Sequence, residues 1–231
     1  MADKPAADKP HYIGHRQRLR ERFLRGGAEA LADYELLELV LFHARPRGDV
    51  KPLAKALIAR FGSFAGAISA EPARLREVED VGDAAVVALK TVQTAALAFM
   101  REQIIDRPVL SSWDKLLAYC RASMGHRTTE AFRILFLDAR NVLIADEVQQ
   151  TGTVNHTPVY PREVVRRALE LGATAIIMAH NHPSDDPTPS RADIEMTRAV
   201  AEAASKLGVT LHDHIIVGRT SHASLKAMGL I

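Results

Sequence analysis

The apolar residues of this chain change their spacing once, and that change decides which folds are open to it. As far as about residue 105 they return at helical intervals. Residues 14–25, GHRQRLRERFLR, set Leu19, Phe23 and Leu24 among Arg16, Arg18, Arg20, Arg22 and Arg25, which predicts a basic amphipathic helix. LADYELLELVLF spaces Leu31, Tyr34, Leu37 and Leu41 for a second helix. A Pro/Gly break over 45–48 precedes a third, through Leu53, Leu57 and Phe61. LREVEDVGDAAVVALKTVQTAALAFMRE then reads as a short helix, a turn over 80–83 and a long Ala/Val-rich helix. Arg107-Pro108 stops it, because the proline ring disfavours a helical conformation in the residue before it. After one more helical stretch, over 112–124, FRILFLD and NVLIADEVQQ read as consecutive strands joined by a turn over 139–141. A helix over 161–171 follows, with Pro161 at its first position and Gly172 closing it. TAIIMA, apolar on both faces, is expected to be a buried strand. Residues 190–207 form another helix, and VTLHDHIIVG a final strand.

The expected organisation is therefore a disordered tail over 1–10, an all-α domain over 11–107 and an α/β domain over 108–231. In the last, the order ββαβαβ implies a sheet with helices packed on it. The chain's 231 residues, 47% of them hydrophobic, suffice for two small cores. Cys120 is the only cysteine, which excludes an internal disulfide or a Cys-rich zinc site and fits a reducing compartment, with cytoplasm as the expected location. MADKPAADKP has no apolar core of a signal peptide. The most apolar stretch, 86–100, is interrupted by Lys90, Thr91, Gln93 and Thr94, so neither secretion nor contact with a membrane is expected.

The buried strand runs directly into AHNHPSDDPTPSRAD. Ligands gather at the carboxyl ends of strands in α/β folds. Residues two apart in an extended segment share a side, so His180 and His182 can face one ion. Pro183, Pro187 and Pro189 stiffen the loop that leads back to Ser190 and Asp193. Two imidazoles and a carboxylate match a catalytic zinc site with an open position. Ser190 and Asp193 also form a plain capping box, and both readings can hold at once.

His180-Asn-His182, seven residues, Ser190, two residues, Asp193 reproduces the HxH-x7-S-x2-D pattern of the JAMM motif. With GTVNHTPVYPREV, AHNHPS and PTPS, the chain beyond its first ten residues resembles the RadC-like subfamily of JAB/MPN+ metal hydrolases. The resemblance implies a JAB/MPN-type, cytidine-deaminase-like α/β fold for the C-terminal domain and zinc held by His180, His182 and Asp193. It also implies Ser190 hydrogen-bonding the reacting oxygen, and an upstream glutamate as general base. Glu130, just before the first strand, is the best match for that base and Glu147 the alternative. HExxH is absent, and a base deaminase would need two cysteines or more. His212, Asp213 and His214 are assigned a supporting role, with Asp213 as a candidate partner for a ligating histidine. His156 is read as loop and Cys120 as core.

LREVEDVGDAAVVAL resembles a helix-hairpin-helix module, but it keeps one hairpin glycine, Gly82, and Glu77, Glu79, Asp80 and Asp83 crowd the turn. Carboxylates there repel phosphate. The expectation is a helical module that contacts nucleic acid weakly and nonspecifically at most, while the C-terminal domain hydrolyses a peptide or isopeptide bond in a protein or peptide substrate. The alternative is a DNA-repair-associated accessory protein whose zinc site is structural or vestigial.

Overall fold

A computed structural model describes residues 14–151 and 159–231. The expectations for the tail over 1–10, for His156, and for the stretch of the family resemblance over 152–158 lie outside these residues. The chain divides into two compact units between Thr94 and Ala95.

The first unit is all-α. Its helices are α1 (His15–Gly26), α2 (Asp33–Ala44), α3 (Lys51–Phe61), α4 (Phe64–Ser69) and α5 (Pro72–Arg76), with the first part of α6 (Asp83–Glu102). Leu37, Leu41, Leu57, Leu75 and Leu89 are fully buried in its core. The spacing had predicted α1–α3 and α6; the short helix expected from Leu75 instead begins at Pro72 and ends at Arg76 as α5, and α4 was not foreseen, although Ser63 caps it by accepting the Gly66 amide. α6 is long and apolar enough by composition to pass for a membrane span, but Ala85, Val86 and Leu89 on its first turns are buried in this core. Leu97 and Met100, on its last turns, pack into the core of the second unit, so the compact division falls inside the helix and ahead of Pro108.

In the second unit α7 (Trp113–Met124) leads to β1 (Ala131–Leu137) and β2 (Leu143–Thr151), then α8 (Pro161–Glu170), β3 (Ala175–Asn181), α9 (Arg191–Ser205), β4 (Thr210–Val217) and β5 (His222–Ser224). The sheet order is β2-β1-β3-β4-β5, antiparallel except for β3 and β4, which α9 connects as a parallel pair. The central strand β3 is buried along its whole length, as its doubly apolar sequence requires. One face of the sheet packs on α7 through Leu116, Cys120, Leu135, Ile177 and Ile215. The other meets Val164, Ala168, Val200 and Ala204 of α8 and α9 through Phe132, Ile134, Ile176 and Met178. β5 was not anticipated; with three residues it is too short to show an alternation.

Candidate metal centre

β3 runs two residues further than its apolar stretch, so His180 lies within the sheet rather than beyond it. It pairs with Phe132 on one side and Ile216 on the other, and the Phe132 ring stacks on its imidazole. His182 follows the strand and donates its backbone N–H to Val217 of β4 (3.2 Å), which keeps it beside His180. The intervening proline-rich loop is tied down by Asp185. Its backbone adopts a φ of +69°, which aspartate tolerates, and its carboxylate accepts from the backbone N–H and the guanidinium of Arg219.

The loop ends at Ser190, which caps α9. Ser190 Oγ accepts the Asp193 amide at 3.1 Å while the Ser190 amide donates to Asp193 Oδ2 at 2.8 Å, the capping box read from the sequence. The Ser190 hydroxyl proton also rests on Asp193 Oδ2, at 2.6 Å. Capping therefore aims the carboxylate, and Asp193 lies 3.3 Å from His180 Nε2 and 3.5 Å from His182 Nε2.

Hydrogen-bond direction settles which nitrogens are available. Thr197, one turn along α9, gives its hydroxyl proton to the Asp193 carbonyl, so its oxygen must accept from His214 Nδ1 at 2.6 Å. His214 is fully buried, and burial pushes its pKa well down and keeps it neutral. Its Nε2 is then an acceptor, and His180 Nδ1–H donates to it at 2.8 Å. His182 Nδ1–H donates to the Asp186 carbonyl at 2.7 Å. When both rings are neutral the remaining nitrogens, His180 Nε2 and His182 Nε2, present lone pairs to each other at 3.0 Å, with the carboxylate alongside; a proton there goes to His182 Nε2 and is shared with Asp193. Acceptors gathered in this way, with the second ring nitrogens held by outer partners, form the donor set of a divalent cation.

Electrostatics agrees. Burial lowers His180 to about 4, so it stays neutral. A hydrogen bond to Asp193 raises His182 above the usual histidine value, against the effect of burial. Burial pushes Asp193 up, but hydrogen bonds from His182 and Ser190 outweigh it and hold the carboxyl well below the usual range. The spacing suits zinc: ligand atoms about 2.0–2.1 Å from a tetrahedral ion are about 3.3 Å from one another, against 3.0, 3.3 and 3.5 Å between the groups here.

The two candidate bases have different surroundings. Glu130 immediately precedes β1, and its charge contributes to the raised pKa of His182. Glu147 sits on β2 in a cleft against α8, where Arg167 binds it at 2.6 Å and holds its pKa down. The triplet also separates. Asp213 is not the partner of a ligating histidine: it faces the α7 side, where it accepts from Ser224 Oγ and the Lys226 amide. His214 takes that place, and His212 bonds Asn141 in the β1–β2 turn. Strict alternation along a strand puts Asp213 and His214 on opposite faces. Thr197 and Asn181 were missed, although the four-residue step from Asp193 places Thr197 on the same side of the helix.

In the first unit Arg16 is spent on the carbonyls of Arg45 and Gly48, and Arg22 pairs with Glu35. The acidic turn is partly neutralised, with Glu77 on Arg60, Asp80 on Arg45 and Asp83 on Arg76.

Residues 110–230 match the family model described as the RadC-like JAB domain, and residues 12–87 match the one described as UPF0758 N-terminal.

Proposed function

Because the chain belongs to the RadC-like JAB family, we propose that it is a zinc-dependent hydrolase that cleaves a peptide or isopeptide bond in a protein or peptide substrate. The observation carrying this reading is the convergence of His180 Nε2, His182 Nε2 and the Asp193 carboxylate, with both second ring nitrogens tied off. Bound zinc supplies a Lewis acid that polarises a carbonyl and lets water ionise near neutral pH. Glu130 takes the proton from the attacking water on its carboxylate and returns it to the departing nitrogen. Ser190 turns the single hydroxyl proton that rests on Asp193 toward the reacting oxygen and donates it there. Glu147 is held by Arg167 and takes no part.

The test is metal analysis of the purified protein, coupled to hydrolysis of mixed-sequence fluorogenic peptides and isopeptide-linked peptides. Stoichiometric zinc with cleavage is expected. Zinc without cleavage of any of them would leave the site structural, as the DNA-repair-associated alternative has it.

For the N-terminal unit we infer weak, nonspecific nucleic-acid contact at most, because two of the arginines of α1 serve the unit's own packing. Duplex binding should vanish as salt rises. Tight binding at physiological salt that is abolished by altering Val81 and Gly82 would overturn this.

A further inference from the structure

Asn181 lies between the two candidate ligands, is 1% exposed, and belongs to neither the ligand set nor the apolar core. The β1–β3 ladder ends at the pair Phe132–His180. One residue further β3 stays paired with β4, Asn181 opposite Val217, but no longer pairs with β1, so Ala131, still held by Thr151 of β2 on its other side, has no backbone partner on the β3 side. The side chain of Asn181 fills that position. Its Oδ1 accepts the Ala131 amide at 2.8 Å and its Nδ2 donates to the Thr129 carbonyl at 3.1 Å. A carboxamide has the donor and acceptor of a peptide group, so it prolongs the ladder where the backbone has departed. The two bonds fall on the residues either side of Glu130.

We propose that Asn181 is a positioning residue that fixes Glu130 relative to the His180–His182 pair, and thereby sets the path over which Glu130 moves its proton. This rests on the hydrolase reading above. Bonds bracketing one residue restrict its backbone far more than a single bond does, and displacing a catalytic group by about 1 Å can cost about a hundredfold in rate.

The experiment is a double-mutant cycle on the full chain. Zinc affinity is measured by titration with the metal alone, rate with the fluorogenic peptides, and amide exchange by NMR. Asn181→Ala should lower the rate at least tenfold with zinc affinity unchanged within about twofold. In a Glu130→Gln background it should cost nothing more, because the group it positions is already disabled. Exchange protection of the Ala131 amide should drop at least tenfold while that of Ile134 holds. If Asn181→Ala does not fold, Asn181→Asp replaces it; this variant keeps the acceptor for Ala131 and loses the donor to Thr129, so the rate should fall while Ala131 stays protected. A tenfold loss of zinc affinity, or an undiminished effect in the Glu130→Gln background, overturns the proposal, since Asn181 would then act through the ligands. If the wild-type protein cleaves nothing, the hydrolase reading fails separately and exchange alone decides: an unchanged Ala131 amide in Asn181→Ala refutes the positioning role.

Discussion

The sheet of the second unit carries a buried polar cluster on each face, and the two are built on opposite principles. On the α7 side Arg133 Nη1 lies 2.5 Å from both oxygens of Asp146 and 3.1 Å from the Tyr119 hydroxyl, which itself donates to Asp146. One cation, one anion and a hydroxyl balance each other in charge, although Arg133 Nε is buried without a partner. Burial, then the Asp146 charge, raises the Tyr119 pKa, and burial pushes the neighbouring Cys120 thiol up to about 12 against the Arg133 charge. On the α9 side two imidazole lone pairs and a carboxylate converge with nothing positive among them except a proton that His182 readily holds. Burial of polar groups is thus common to both, and the balance of charge separates a neutralised strut from a cluster with acceptors left over, the kind a cation would complete.

The sharpest test is to remove an acceptor from the incomplete cluster. His182→Ala and Asp193→Ala should each reduce zinc from stoichiometric to background, and atomic absorption that finds it undiminished in both would end the assignment. Chelation should leave the circular dichroism of the wild-type protein essentially unchanged, because each unit has its own apolar core and does not fold around the metal. Next in size is Glu130→Gln, which adds no acceptor and removes none from the cluster. Zinc should stay while the rate falls by about a hundredfold to ten-thousandfold; normal turnover with a dead Glu147→Gln would reverse the two roles.

The complete cluster should respond in the other currency. Asp146→Asn leaves Arg133 uncompensated and should cost about 3 kcal/mol of unfolding free energy in denaturant titration, with zinc content intact. Zinc lost in proportion would mean that the two faces are coupled. The smallest effect belongs to Glu147→Gln, which removes a solvent-screened ion pair with Arg167 and should shift the denaturation midpoint only slightly. Arg167 depresses the folded-state pKa of Glu147, so its contribution is present above the unfolded carboxylate value, near 4.5, and disappears as pH falls through the lower folded value. Wild type and variant should therefore converge in stability under acid, and a gap that persists there would exclude the ion pair as its cause.

Much of this was legible in the sequence. Period and punctuation located α1–α3, α6–α9 and β1–β4, because each buries a regular stripe or a continuous apolar face. The ligands were legible because His180, His182, Ser190 and Asp193 lie within fourteen consecutive residues, held by a strand end, a proline-rich loop and a cap. What escaped depends on pairing between strands. The roles of His214 and Asp213 follow from the bulge between Ile176 and Ile177 in the β3–β4 register, which no local pattern announces. Asn181 reads as an indifferent residue between two histidines until the ladder it prolongs is known. The acidic turn misled in degree, since Arg45, Arg60 and Arg76 come from elsewhere in the first unit to meet it.

The parallel pairing of β3 with β4 also gives the centre a place in time. All three candidate ligands have left the ribosome once residue 193 has emerged, yet the partner that decides which nitrogen of His180 faces His182 and Asp193 is His214, at the middle of the next strand. A nascent chain halted between them holds every candidate ligand, and Asp186 to orient His182, but not the residue that sets the tautomer of His180. If the centre takes zinc as proposed, the arrangement that selects the His180 nitrogen is complete only in a nearly finished polypeptide.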